Sequence, residues 1–127
     1  MPKILIVDDD EFIRKILCYF IEDKGHVAVA CPKPQDALPT LISVKPDLVI
    51  LDYIMPGMTG LDVLGKIRSL SKELQVPVIF FSSAIPRFKE EVPPDPRIRL
   101  LAKPPNFDLL GTTIEELLVL GPGLGAP

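Results

Sequence analysis

The chain has 127 residues, a net charge of −3 and an isoelectric point near 5.1. That length suits one domain with a core of its own. The acidic balance and the lack of a basic cluster argue against direct nucleic-acid binding. No apolar run reaches the roughly 20 residues needed to span a bilayer, which argues against a membrane partner.

Met1-Pro2-Lys3 enters an apolar run at once, without the shape of a signal peptide. Two cysteines, Cys18 and Cys31, make no disulfide framework, fit a reducing cytoplasm, and read as small core residues. Lys3 to Val7 is a short aliphatic run that ends in Asp8, Asp9 and Asp10, and it predicts a first buried strand. Phe12, Ile13, Ile16, Leu17, Phe20 and Ile21 then recur at helical spacing. Acidic residues precede them and Gly25 follows Lys24, so the helix is expected over 11–24. His26 to Ala30 reads as a second strand, with His26 as a surface histidine at a turn.

Pro32 to Val44 predicts a second helix with Ala37, Leu38, Leu41 and Ile42 inward. Pro39 in its interior should leave it short or kinked. Leu48 to Leu51 is a four-residue aliphatic run bounded by turn signals, which reads as a strand buried on both faces. Such a strand excludes charge, so Asp52 belongs where it emerges. Thr59 can cap a third helix from Gly60 to about Leu70, with Leu61, Leu64, Ile67 and Leu70 inward. Pro77 to Phe81 predicts a fourth strand ending at Ser82-Ser83.

The crossover that follows holds Pro86, Pro93, Pro94 and Pro96, and leaves room for a helix only over Arg87 to Val92. Arg97 to Ala102 is a fifth strand, followed by Lys103-Pro104-Pro105. Asn106 can cap a last helix, Phe107 to Leu120, with Leu109, Leu110, Ile114, Leu117 and Leu118 inward. Residues 1–120 then form the domain and 121–127 a flexible C-terminal tail.

Five alternations of strand and helix predict an α/β fold with a doubly wound parallel sheet. Five strands in so short a chain suggest the flavodoxin-like (βα)5 order 2-1-3-4-5, here with a shortened or irregular fourth helix. In that order Asp8, Asp9, Asp52, Ser82 and Lys103 all fall at one edge of the sheet. Three carboxylates at one place repel each other, and a divalent cation relieves this. Mg2+ prefers such hard oxygen ligands, and Lys103 with Ser82 suits a dianionic phosphoryl group. The chemistry that follows is phosphoryl transfer to the Asp52 carboxylate, giving an acyl phosphate.

Val7-Asp-Asp9, the run Leu51-Asp-Tyr-Ile-Met-Pro-Gly-Met-Thr-Gly60, Pro77 to Ser82, and Lys103-Pro104 together resemble the response regulator receiver domain of bacterial two-component signalling. The resemblance spans about residues 3–120. It implies a cytoplasmic signalling protein rather than an enzyme acting on a separate substrate. By that resemblance Asp52 takes a phosphoryl group from a histidine kinase or phosphotransfer protein. Asp9 and Asp52, with the backbone carbonyl of Ile54, hold Mg2+, and Asp8 helps through water. Ser82, preferred to Ser83, follows the phosphoryl group on switching, Lys103 pairs with it, and a downstream protein reads the change.

Three departures stand out. The crossover replaces a full fourth helix, Leu100 stands where many members carry an aromatic residue three before the lysine, and Pro39 sits in the second helix. The usual output face should therefore be rebuilt. The main rival reading is a receiver-like binding module that works without phosphorylation. A haloacid-dehalogenase enzyme needs a second Asp where Ile54 stands. A flavodoxin needs a hydroxyl- and glycine-rich phosphate loop where Asp8 to Asp10 stand. Neither Ile54 nor Ala84 can orient an attacking water, so self-dephosphorylation should be slow. The chain is a stand-alone regulator or a piece of a longer one.

Overall fold

The computed structural model describes residues 1–70, 75–83, 89–92 and 94–121. Strand β1 (Lys3–Val7) leads to helix α1 (Glu11–Asp23), then β2 (Val27–Cys31), α2 (Ala37–Val44), β3 (Leu48–Leu51), α3 (Gly60–Arg68), β4 (Val78–Ser82), β5 (Ile98–Ala102) and α4 (Phe107–Leu120). The five strands form one parallel sheet in the order β2-β1-β3-β4-β5, as the flavodoxin-like expectation required. The expected tail beyond Gly121 lies outside the described residues.

Alternation along the strands splits the core in two. Leu5, Val7, Val49, Leu51, Val78, Phe80 and Ile98 face one way, under Ala37 and Leu41 of α2 and Val63, Leu64 and Ile67 of α3. Ile4, Ile6, Leu48, Ile50, Ile79, Phe81 and Leu101 face the other way, under Leu17 and Ile21 of α1 and Leu110, Ile114 and Leu117 of α4. Both faces of β3 and β4 are covered, which is why Leu48 to Leu51 and Val78 to Phe81 are unbroken apolar runs.

Local chemistry sets the helix ends. Asp10 caps α1 by accepting from the backbone N–H groups of Phe12 and Ile13. Thr59 and Asp62 form a reciprocal capping box on α3. Asn106 accepts from Leu109 N–H at the start of α4. Pro39 is the third residue of α2, behind a single 3-10 turn at Pro34–Asp36. Backbone N–H groups of a first turn have no helical partner, so a proline there forfeits nothing. The helix is short, as expected, but Pro39 does not sit in its interior.

Other expectations shift. The second strand begins at Val27, since His26 N–H still closes the end of α1 on the Ile21 carbonyl. Ile42 and Leu109, expected inward, are exposed, and so is Phe12 at the start of the apolar spacing of α1, by 68%. Val63 and Thr113 are buried instead, and the Thr113 hydroxyl is satisfied by the Leu109 carbonyl. In the crossover a 3-10 turn covers Lys89–Glu91; the start of the helix expected at Arg87 lies outside the described residues. Leu100 is half-buried against the first core layer.

Candidate functional site

The carboxyl ends of β1 and β3 are adjacent, with Val7 paired to Leu51. The chain leaves each strand directly into an aspartate. Asp8 is 2% exposed and Asp52 is 7% exposed. Their backbones remain tied to the sheet: Asp8 N–H donates to the Cys31 carbonyl and Asp52 N–H to the Val7 carbonyl. Asp9 turns outward and is exposed. Oxygens from Asp8, Asp9 and Asp52 nevertheless lie within 4.8 Å of one another. Asp10, the last of the three consecutive aspartates, is a helix cap.

Lys103, just past β5, spans the two buried carboxylates. Its Nζ donates to Asp8 Oδ2 at 2.8 Å and to Asp52 Oδ2 at 3.3 Å. The same ammonium sits 5.7 Å from the centre of the Phe81 ring, and its side chain is 17% exposed. Lys103 N–H also donates to the Ser82 carbonyl, so the lysine loop hangs from the end of β4. The Lys103–Pro104 peptide is cis.

The electrostatics follow from this crowding. Burial pushes the Asp8 carboxyl above its ordinary value, against the pull of Lys103 and the Asp10 N–H; the charge on Asp52 pushes the same way as burial. Burial pulls the Lys103 ammonium down, but its two carboxylate partners more than offset this and raise it above the ordinary lysine value. The cation is thus held charged.

The remaining oxygens are held by the backbone. Asp8 Oδ1 accepts from Asp10 N–H at 2.9 Å, and Asp52 Oδ1 from Tyr53 N–H at 2.8 Å. Each carboxylate therefore has one oxygen fixed by the chain and one facing the lysine. Such a set of hard oxygens around a fixed cation fits a small divalent ion and a phosphoryl group.

Ser82 ends β4 and is buried, whereas Ser83 is exposed. Ile54 is exposed, and Ala84 lies outside the described residues. His26 pairs through Nε2 with Glu115 Oε1 on α4 at 3.0 Å, away from the carboxylates. Burial raises both cysteine thiols, which suits core residues.

Two contributors carry little sequence signal. Arg14 Nη1 donates to the Asp8 carbonyl at 2.9 Å, from one turn inside α1. At Gly60 an added Cβ would lie 2.5 Å from the Asp52 carbonyl oxygen and 2.8 Å from the Phe80 ring. Only glycine lets α3 start this close to the loop that carries Asp52. A glycine at the first position of a capped helix was the available clue.

Comparison with known proteins agrees with this architecture. The family model described as the response regulator receiver domain matches residues 4–112. A protein-glutamate methylesterase/protein-glutamine glutaminase of Trichodesmium erythraeum is 42% identical over 91 residues, covering 68% of this chain and 25% of that protein. The transcriptional regulatory protein AfsQ1 of Streptomyces coelicolor is 32% identical over 83 residues, covering 65% of this chain and 36% of that one. The chain thus spans only about a quarter to a third of these two curated relatives. The crystal structure of response regulator protein TrrA from Thermotoga maritima, in complex with Mg2+-BeF, superposes with a TM-score of 0.80 at 31% identity, covering 92% of this chain and 99% of that one. A sensor protein from a Polaromonas species shares the fold at a TM-score of 0.85, with 21% identity and coverage of 94% and 97%. With the receiver model matching most of its length and an aspartate cluster at the sheet edge where the fold gathers its chemistry, this chain belongs to the response regulator receiver domain family.

Proposed function

We propose that this receiver domain is a phosphoacceptor: Asp52 takes a phosphoryl group from a histidine kinase or phosphotransfer protein in the cytoplasm. The observation that carries the reading is Lys103 bridging Asp8 and Asp52, with a third carboxylate, Asp9, within reach of both. In the transfer a lone pair of an Asp52 oxygen forms the new O–P bond. The P–N bond to the donor imidazole breaks, and its electron pair stays on the nitrogen. Lys103 balances charge on the incoming phosphoryl group and keeps the Asp52 oxygen directed at it. Asp8 and Arg14 hold the loop after β1 in register, and the buried Ser82 supplies a hydroxyl at the neighbouring strand end.

Asp9 and Asp52, with the Ile54 carbonyl, would hold Mg2+, and Asp8 would act through water; the ion would neutralise charge on the transferring group. The Mg2+-BeF complex of TrrA supports this choice of ion. The unit is residues 1–120, its output is a conformational change read by a downstream protein, and its only chemistry is on itself.

Incubation with acetyl phosphate and Mg2+, followed by intact mass, tests the reading. Wild type should gain one phosphoryl group and Asp52→Asn none. An unmodified wild type would instead point to a binding module that works without phosphorylation.

A further inference from the structure

Tyr53 joins two parts of the molecule that the sheet keeps apart. Its N–H donates to Asp52 Oδ1 at 2.8 Å. Its carbonyl accepts from Gly60 N–H at 2.7 Å. Its hydroxyl donates to Glu91 Oε1 at 3.3 Å. Glu91 ends the 3-10 turn of the crossover between β4 and β5, and Val92 N–H closes that turn on the Lys89 carbonyl. Val92 and the half-buried Tyr53 ring pack on the same hydrophobic layer. One residue therefore touches the candidate phosphoacceptor at its backbone and the crossover at its side-chain tip.

We infer that Tyr53 is a positioning residue that reports the state of Asp52 to the crossover through Glu91. The inference rests on Asp52 being the phosphoacceptor. The Asp52 carboxylate offers Tyr53 N–H a charged acceptor. An acyl phosphate leaves only a bridging oxygen and a neutral carbonyl, and neutral hydrogen bonds have roughly half the strength of charge-assisted ones. The chain around this peptide has little freedom. Asp52 N–H is bound to Val7, and the Tyr53 carbonyl is bound to Gly60, whose missing Cβ leaves no slack toward the Asp52 carbonyl. The longest of these three bonds of Tyr53 is the one from its hydroxyl to an exposed glutamate. Modification of Asp52 is relieved there, and the turn at Lys89–Glu91 loosens.

The test is amide hydrogen exchange of Glu91 and Val92, read by NMR with and without beryllofluoride and Mg2+, with bound fluoride followed by its own resonance. In wild type, exchange at the turn should quicken about threefold on binding, the scale of one long, solvent-exposed hydrogen bond. In Tyr53→Phe and Glu91→Ala the turn should exchange fast from the start and respond no further, while Glu91→Gln, which keeps an acceptor, should restore the response. Glu91→Ala should still take a phosphoryl group from acetyl phosphate at the wild-type rate. Bound beryllofluoride with an unmoved or slowed turn in wild type would overturn the inference alone. So would a full response in Tyr53→Phe. Absence of both bound fluoride and acetyl-phosphate labelling in wild type would remove the phosphoacceptor reading and this inference with it.

Discussion

The carboxylate cluster and the turn of the crossover after β4 meet at Tyr53 and Glu91, yet they are held by different means. In the cluster, Asp8 and Asp52 are buried, and the bonds that hold them join residues up to 95 positions apart. In the crossover, Lys89, Glu90 and Glu91 are all exposed, and Val92 is the residue of the turn packed on the core. Buried charge tolerates little error, because an unpaired ion in a core is expensive. A solvated turn can change its sequence at small cost. The difference teaches where such a domain can diversify: the carboxylates are held by the sheet, while the solvated side chains of Lys89 and Glu90 can change at small cost.

Lys103→Met should break that comparison most severely if it is wrong. Removing one partner of a buried ion pair leaves the others uncompensated, and the partial exposure of this lysine puts the cost near the lower end, about 3 kcal/mol. Urea denaturation at neutral pH measures it. On the proposed reading Mg2+ should restore part of the loss, since it binds the folded cluster and not the unfolded chain. A loss below about 0.5 kcal/mol would place the cluster with ordinary surface charges.

Two glycines of α3 sharpen the contrast. Gly60→Ala should cost about 1–3 kcal/mol, because the new methyl group meets backbone of the Asp52 loop and the Phe80 ring. Gly65→Ala should stabilise by about 0.5–1 kcal/mol, because nothing lies within 4 Å and alanine is the better helix former. Thermal melts of the pair should move in opposite directions.

These contrasts also explain what was legible. Strand ends were readable because each is marked locally: an aliphatic run followed by Asp8, Asp52 or Ser82, and Lys103-Pro104 beyond the last run. Alternation pointed to a parallel sheet, five strands in so short a chain suggested the order 2-1-3-4-5, and that order brings the markers to one edge. Helix faces were read less well. Phe12 and Leu109 share the spacing of buried neighbours, and periodicity cannot say which margin of a wide apolar stripe the sheet will cover. Arg14 on a carbonyl and Tyr53 on Glu91 depend on where a side chain reaches across the fold, which no local pattern records.

The pH dependence of the cluster has a definite sign. Asp8 is raised above its ordinary value of 3.8, chiefly by burial. A carboxyl raised on folding binds its proton more tightly in the folded state. Its contribution is fully present below the unfolded value and is lost as pH rises through the folded one. The stability difference between wild type and Asp8→Asn should therefore fall as pH climbs from 3.8, then level off. A flat difference, or one that rises, would contradict the burial of Asp8 as a charged group.

The smallest effect belongs to the crossover. Lys89→Ala and Glu90→Ala alter exposed side chains on a turn that Val92 anchors from beyond them. Surface changes away from caps, cores and buried pairs stay within about 0.5 kcal/mol. Both variants should melt with wild type and, on the proposed reading, accept a phosphoryl group from acetyl phosphate with release of acetate as it does, because neither side chain reaches the carboxylates. Their value lies in the comparison with Glu91→Ala, one position along. If all three behave alike in stability, and only Glu91→Ala severs the turn from Asp52, then the crossover acts through a single contact rather than through its fold. If Lys89→Ala or Glu90→Ala destabilises the domain by more than about 1 kcal/mol, the turn is part of the scaffold, and the division between a fixed cluster and a free crossover fails.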